Sequence, residues 1–309
     1  MKRILLTGAN GFIGRHCIGP LRRRGFEVHA VTTAEGAAAG EDVVWYKADL
    51  LDAAQLTDLF ARIRPTHCLH LAWCTEPAKY RTAPENLDWL RSGIALGQAF
   101  AKAGGRRLVV AGTCAEYDWR HGWCVESVTP CAPDTLYAAS KHALHIALAE
   151  FARSTRIGLA WARLFWLYGP HEHPERLVAS VARSLLRGAP ADCSEGRQMR
   201  DYLHVADAGD ALAALASSEF AGTVNVASGT PVAVRDVARA VGAATGRSDL
   251  LRFGTHSETT EPPLVAADTT RLNRELGWLP KYTLDEGVKD AVAWWRRKLS
   301  STVGAERDR

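Results

Sequence analysis

The chain has 309 residues, 47% of them hydrophobic, and a formal net charge of +4. The length suits one large domain or two modest ones with a full core. The mild charge argues against a nucleic-acid partner, since Arg22-Arg23-Arg24 and Arg296-Arg297-Lys298 are short runs at expected helix ends, where cations are ordinary. The seven cysteines are odd in number and scattered, without a C-x-x-C pair. They suggest reduced thiols and a cytoplasmic protein. A strand at the N-terminus leaves no room for a signal peptide, and no apolar run reaches membrane-spanning length.

The first expected element is the strand Ile4-Leu5-Leu6, which feeds Thr7-Gly8-Ala9-Asn10-Gly11-Phe12-Ile13-Gly14 and then a helix over 15–24. Strand, glycine turn and helix open a dinucleotide-binding βαβ unit. Gly8 permits a tight turn, Gly11 lets backbone approach a pyrophosphate, and Gly14 lets the helix pack close to the strand. Incidental glycines in an ordinary strand–turn–helix are the alternative. Further strands are predicted over 26–32, 43–46, 67–71, 107–111 and 157–164, and helices over 53–64, 84–103 and 136–154. The alternation predicts a parallel sheet covered on both faces, an α/β, Rossmann-like, doubly wound fold.

After residue 165 the pattern loosens, punctuated by Tyr168-Gly169-Pro170 and Gly188-Ala189-Pro190. A helix over 205–217 and a strand over 223–226 are expected to return to the main sheet. The dinucleotide-binding domain is then 1–165 plus about 205–226, and a smaller α/β substrate lobe is 166–204 plus 227–301. Residues 302–309 read as a frayed tail.

A second signature, Tyr137-Ala138-Ala139-Ser140-Lys141, opens the helix over 136–154. Tyr137 and Lys141 are one turn apart and share a face. A phenol titrates near ~10, and a lysine cation beside it favours the phenolate and brings it towards neutral-pH proton transfer. A surface i,i+4 pair is the alternative. Thr113, just past a buried strand, adds a hydroxyl.

With glycine turn, hydroxyl and Y-x-x-x-K in place, the chain resembles an extended short-chain dehydrogenase/reductase of the nucleotide-sugar epimerase, dehydratase and reductase group. The likeness runs nearly end to end. TGANGFIG resembles the cofactor turn, Asp49-Leu50 the adenine-contacting pair, and His70-Leu71-Ala72 the segment under the nicotinamide half. Gly112-Thr113, Arg163-Leu164-Phe165 with Tyr168-Gly169-Pro170, the stretch Arg200 to Val205, and Ala267 to Arg271 with Glu275 to Trp278 resemble further family segments. The resemblance implies catalysis by Thr113, Tyr137 and Lys141. It implies cofactor contacts from Gly8, Asn10, Gly11, Phe12, Ile13, Gly14, Asp49, Leu50, Leu71, Ala72, Trp73, Tyr137 and Lys141. It also implies substrate contacts from Thr75, Thr113, Cys114, Trp166 and Arg200, the last on a diphosphate, and a homodimer pairing the helices over 84–103 and 136–152.

The departures are as informative. The dehydratase branch carries Asp-Glu after its threonine, where this chain has Cys114 and Ala115, so 4,6-dehydration is not expected. Trp166 stands where the family often has a phosphate-binding Asn, and Glu258 to Glu261 fill a region that often holds an Arg. The second strand ends in Thr32-Thr33 without an Asp for the ribose hydroxyls, and Glu35 lies too far along. Two hydroxyls, with Arg15 near the turn, favour NADP(H) over NAD(H). His171-Glu172-His173 lacks a third spaced ligand group, so no metal is expected. Cys74 and Cys114 lack a paired base and read as small apolar filler. Trp73, Trp119, Trp123 and Trp166 could line a sugar pocket or the core.

The expected function is reduction of a 4-keto-6-deoxy sugar carried on a nucleotide. The alternatives are a 4-epimerase that keeps NAD bound, and a non-catalytic NADP-binding redox sensor or structural protein.

Overall fold

The computed structural model describes residues 2–33, 43–255 and 262–307. Glu35 and Glu258 to Glu261 lie outside them. In chain order the first elements are β1 (Lys2–Thr7), α1 (Gly14–Arg23), β2 (Phe26–Thr32), β3 (Val43–Lys47), α2 (Ala53–Ile63), β4 (His67–His70), α3 (Glu85–Lys102) and β5 (Arg107–Thr113). Next come β6 (Trp123–Cys124), α4 (Leu136–Thr155), β7 (Gly158–Leu164), β8 (Trp166–Tyr168), α5 (Leu177–Leu186), β9 (Ala191–Cys193), β10 (Met199–His204) and α6 (Val205–Ser217). The chain closes with β11 (Gly222–Val226), β12 (Pro231–Ala233), α7 (Val234–Thr245), β13 (Leu251–Phe253), β14 (Leu264–Ala267), α8 (Thr270–Arg274) and α9 (Leu284–Arg307).

Seven strands form one parallel sheet in the order β11-β7-β5-β4-β1-β2-β3. The apolar runs of β1 and β5 explain its centre, since strands covered on both faces have no solvent side to alternate towards. β5 is buried along its whole length. Helices α1 and α6 cover one face, and α2, α3 and α4 cover the other. The fold is the expected doubly wound α/β, with β11 and α6 returning to the large sheet.

A second sheet has the order β12-β10-β14-β6, with β8 also on β10. β6 comes from within residues 1–165 yet belongs to this sheet. Its neighbouring core, around Tyr168, Val178, Val237, Val288 and Trp295, is closed by α5, α7 and α9. α9 continues to Arg307, so the expected frayed tail is helical up to that residue.

The carboxyl ends of β1, β4 and β5 meet at one edge, where open α/β sheets bind ligands. Two glycines set the backbone there. Gly8 has φ +67°, and a Cβ on it would lie 2.9 Å from the Ala72 amide nitrogen. A Cβ on Gly14 would lie 2.1 Å from the Gly8 carbonyl oxygen. The first turn of α1 therefore rests directly on the strand-end loop.

Gly14→Ala should lower stability by about 1–3 kcal/mol, the range for overpacking a closed contact. Thermal or urea unfolding measures it, and an unchanged midpoint would contradict the close approach.

Candidate active site

The side chain of Thr7, ending β1, ties the edge together. Its Oγ1 accepts the Leu71 and Ala72 amides, each at 3.1 Å, and lies 2.8 Å from His70 Nδ1. The segment Leu71-Ala72-Trp73 is thus fixed beside the glycine turn. Asn10 Nδ2 donates to Thr32 Oγ1 at 2.9 Å. The Arg15 guanidinium donates to the carbonyls of Asn10 and Gly11 and lies 2.7 Å from His171 Nδ1. Phe12 and Ile13 are half-buried between them, and Thr33 is exposed. Asp49 is exposed and accepts the Leu51 amide at 2.9 Å, while Leu50 is buried and its carbonyl accepts from Ser92.

This edge fits a dinucleotide. Gly8, Gly11 and Gly14 have no room for a Cβ against the turn's own backbone and the Leu71-Ala72 segment, so the turn packs tightly at the N-terminus of α1, where backbone N–H groups suit a pyrophosphate. Lys47, which the sequence reading passed over, is in register with Thr32. Paired residues of parallel strands share a sheet face, so a cation stands one strand over from the Thr32 hydroxyl.

Thr113, at the end of β5, faces the first turn of α4. Thr135 caps that helix by accepting the Ala138 amide at 3.2 Å, and the Tyr137 amide donates to the Arg81 carbonyl at 3.1 Å. The Tyr137 ring meets Tyr80 edge-on at 4.9 Å. Lys141 Nζ donates to the Ala111 carbonyl at 2.9 Å and lies over the Trp73 ring at 3.9 Å. Burial raises the Tyr137 pKa above the ordinary phenol value. Burial also lowers Lys141 to about 7, a fall that the Glu116 carboxylate opposes.

Glu116 is the site residue that the sequence reading missed. It is 0% exposed. It accepts the Thr113 amide at 2.9 Å, Trp161 Nε1 at 2.9 and 3.1 Å, and Arg163 Nε at 3.0 Å. Burial opposes its charge, but neighbouring His142 and Arg163 and the Thr113 amide hold its pKa below the ordinary value. It does not replace the missing dehydratase carboxylates, because it points into the sheet. Thr113-x-x-Glu116 forms a capping box, and that spacing was readable in the sequence.

On the substrate side, Trp119 Nε1 donates to the Cys114 carbonyl at 2.7 Å, and the Trp119 and Trp166 rings are 5.6 Å apart. Arg200 lies 5.2 Å from the Trp166 ring, is 1% exposed, and donates to the carbonyls of Met199 and Pro262. It is therefore held inside the lobe as well as close to the site. Thr75 is exposed in the loop after β4, and Trp123 is 42% exposed. Cys114 is buried, which pushes its thiol well above the ordinary range. A cavity of about 310 Å³ opens in the smaller lobe beside Asp192, Cys193, Gly196 and Arg235. Among the described residues nothing accepts from the Arg235 guanidinium, and its Nε is buried without a partner. His171, Glu172 and His173 do not converge: His171 meets Arg15, His173 accepts the Glu175 amide, and Glu172 is buried. Among the described residues no helix is long and apolar enough to cross a membrane.

Residues 4–227 match the NAD dependent epimerase/dehydratase family. The chain is 27% identical to a dTDP-glucose 4,6-dehydratase of Neisseria gonorrhoeae, covering 95% of each chain. It is 26% identical to a UDP-glucose 4-epimerase of Azospirillum brasilense, covering 98% of this chain and 94% of that one. A UDP-glucose 4-epimerase of Thermus thermophilus, solved in complex with NAD, superposes with a TM-score of 0.83 at 28% identity, covering 95% of this chain and 99% of that one. The match spans well over half of the chain, and the chain belongs to the NAD dependent epimerase/dehydratase family.

Proposed function

We propose that the chain is an NADP(H)-dependent reductase of a keto group on a nucleotide-linked sugar, most simply a 4-keto-6-deoxy sugar. The observation that carries this reading is that the end of β5 and the first turns of α4 bring Thr113, Tyr137 and Lys141 to one edge, with Lys141 bonded to the Ala111 carbonyl two residues before Thr113. A protonated phenol beside a second hydroxyl is an acid suited to a ketone oxygen. Bound nicotinamide would supply the hydride. Tyr137 gives the proton to the carbonyl oxygen, Thr113 hydrogen-bonds that oxygen, and Lys141 holds the nicotinamide ribose. Cys114 and Ala115 supply no carboxylate for an elimination. Epimerisation at C4 with NAD retained is the second reading, favoured by the epimerase relatives. Thr32, Thr33, Arg15 and Lys47 at the ribose end support NADP(H).

For the nucleotide half we assign Arg235 beside Arg200, since Arg235 lines the lobe cavity with its guanidinium uncommitted among the described residues. The bare exposure of Leu87, Ile94 and Ile146 on α3 and α4 supports a homodimer through those helices, and the unpaired cysteines support a cytoplasmic location.

A panel of nucleotide sugars and keto sugars with NADH and NADPH, followed by cofactor absorbance and product NMR, tests the function. Stoichiometric consumption supports a reductase, product without consumption an epimerase, and binding without product a non-catalytic protein. Tyr137→Phe should cut turnover by about 10² or more, the scale of a lost general acid, with cofactor affinity held. Near-normal turnover would remove Tyr137 from the mechanism. Thr32→Asp should move preference towards NADH by at least ~1.4 kcal/mol, or tenfold. A wild type that already prefers NADH contradicts the NADP(H) reading. Arg235→Ala should raise KM for a nucleotide sugar about tenfold at constant melting temperature. Arg200→Ala should lower the melting temperature too, because two backbone carbonyls lose their donor.

A further inference from the structure

We propose that Trp73 is a positioning residue, whose indole face holds the Lys141 ammonium at the strand end and leaves its other N–H groups for the cofactor. The inference rests on the reading of Lys141 as the lysine that holds the nicotinamide ribose.

Lys141 stands in the second turn of α4 and is 2% exposed. Its charge sits on a flexible stem, so burial alone does not aim it. Among the described residues its one hydrogen bond goes to the Ala111 carbonyl of β5, at 2.9 Å. An ammonium has three N–H groups, and a single bond leaves the head free to turn about it. The second hold is the Trp73 ring, whose centroid lies 3.9 Å from Nζ. That is closer than Arg163 comes to the Tyr117 ring, at 4.2 Å, or Arg271 to Phe220, at 4.6 Å. Indole offers a cation the best face of the aromatic side chains, and the attraction strengthens where water is excluded.

The ring is itself held on several sides. Its backbone follows Leu71 and Ala72, whose amides donate to Thr7 Oγ1. Its Nε1 donates to Asn86 Oδ1 at 2.8 Å. Asn86 is buried and donates in turn to the carbonyls of Tyr80 and Ala83, each at 2.7 Å. The Trp89 ring stacks beside it, with centroids 6.3 Å apart and 29° between the planes. The Tyr137 ring meets it edge-on at 6.3 Å, so one indole borders both the phenol and the ammonium. Apolar filling explains the bulk of Trp73. It does not explain an N–H anchored on a buried amide and a face turned to a cation.

The test uses the full chain and the dissociation constants of NADH and NADPH, measured by calorimetry in wild type, K141A, W73F, W73L and W73L/K141A. W73L should weaken binding about tenfold, the scale of a desolvated cation–ring contact. W73F keeps a face and should stay within about threefold of wild type. Because Trp73 acts through Lys141, W73L should cost nothing further in the K141A chain. A second series replaces Trp73 site-specifically by mono- and difluorinated tryptophan, which keep the ring's shape while drawing electron density from its face. Affinity should fall with each fluorine when Lys141 is present and hold in K141A, and this series decides the matter if W73L does not fold. NMR of the cofactor-free chain adds a readout that general damage would not reproduce. Lysine labelled at Cε gives one carbon signal for each of the eight lysines, and K141A identifies that of Lys141. Its methylene protons should be displaced by the ring in wild type and W73F, and return to the ordinary position in W73L while the other lysines hold. If K141A leaves cofactor affinity unchanged, the reading of Lys141 fails and the inference with it. If K141A weakens binding but the loss from W73L or from fluorination is as large without the lysine as with it, Trp73 acts on its own and the inference alone is overturned. A Lys141 signal at the ordinary position in wild type overturns it too.

Discussion

An ammonium taken almost wholly out of water organises the centre of this molecule. Burying a lone cation is costly, so the surrounding chain must return what water supplied. For Lys141 the return comes from the Ala111 carbonyl at the end of β5, the face of Trp73 and the carboxylate of Glu116. Each of these is itself held. Trp73 donates its indole N–H to Asn86 at 2.8 Å, and Asn86, buried at the start of α3, also donates to the carbonyls of Tyr80 and Ala83. That loop includes Arg81, whose carbonyl receives the Tyr137 amide. Strand end, loop, α3 and α4 thus form one closed polar circuit around the lysine.

Much of the fold was legible because its main sheet is buried on both sides. Such strands appear as unbroken apolar runs, and β2 and α6 fall on the residues expected. The second sheet was not legible. β6, β8 and β12 are two or three residues long, too short for any period to register. They exist because neighbours in space pair with them, not through local preference.

The candidate site divides along the same line. The spacing of Tyr137 and Lys141 gave a shared helix face, but not where the ammonium points. That direction depends on Trp73 and Ala111, which lie far away in sequence. Glu116 left a local trace, the T-x-x-E capping box, while its partners Trp161 and Arg163 needed the pairing of β5 with β7. Lys47 needed the register of β2 against β3. Arg200 was read from its family segment as a phosphate ligand, yet the structure commits part of its fork to Met199 and Pro262.

The return of the chain to the large sheet has a consequence for dissection. Everything from β8 to β10 is spliced between β7 and β11, which are hydrogen-bonded neighbours in register from Gly222 against Ala160 onward. No single cut separates the two lobes. A fragment ending after β7 would leave that strand as a bare edge, open to pairing with other chains. It would also strip α6 from the face of α1, including the place where Gly209 lies against the backbone of His16. The nucleotide half is therefore obtained only by excising the inserted segment and rejoining the strands, not by truncation.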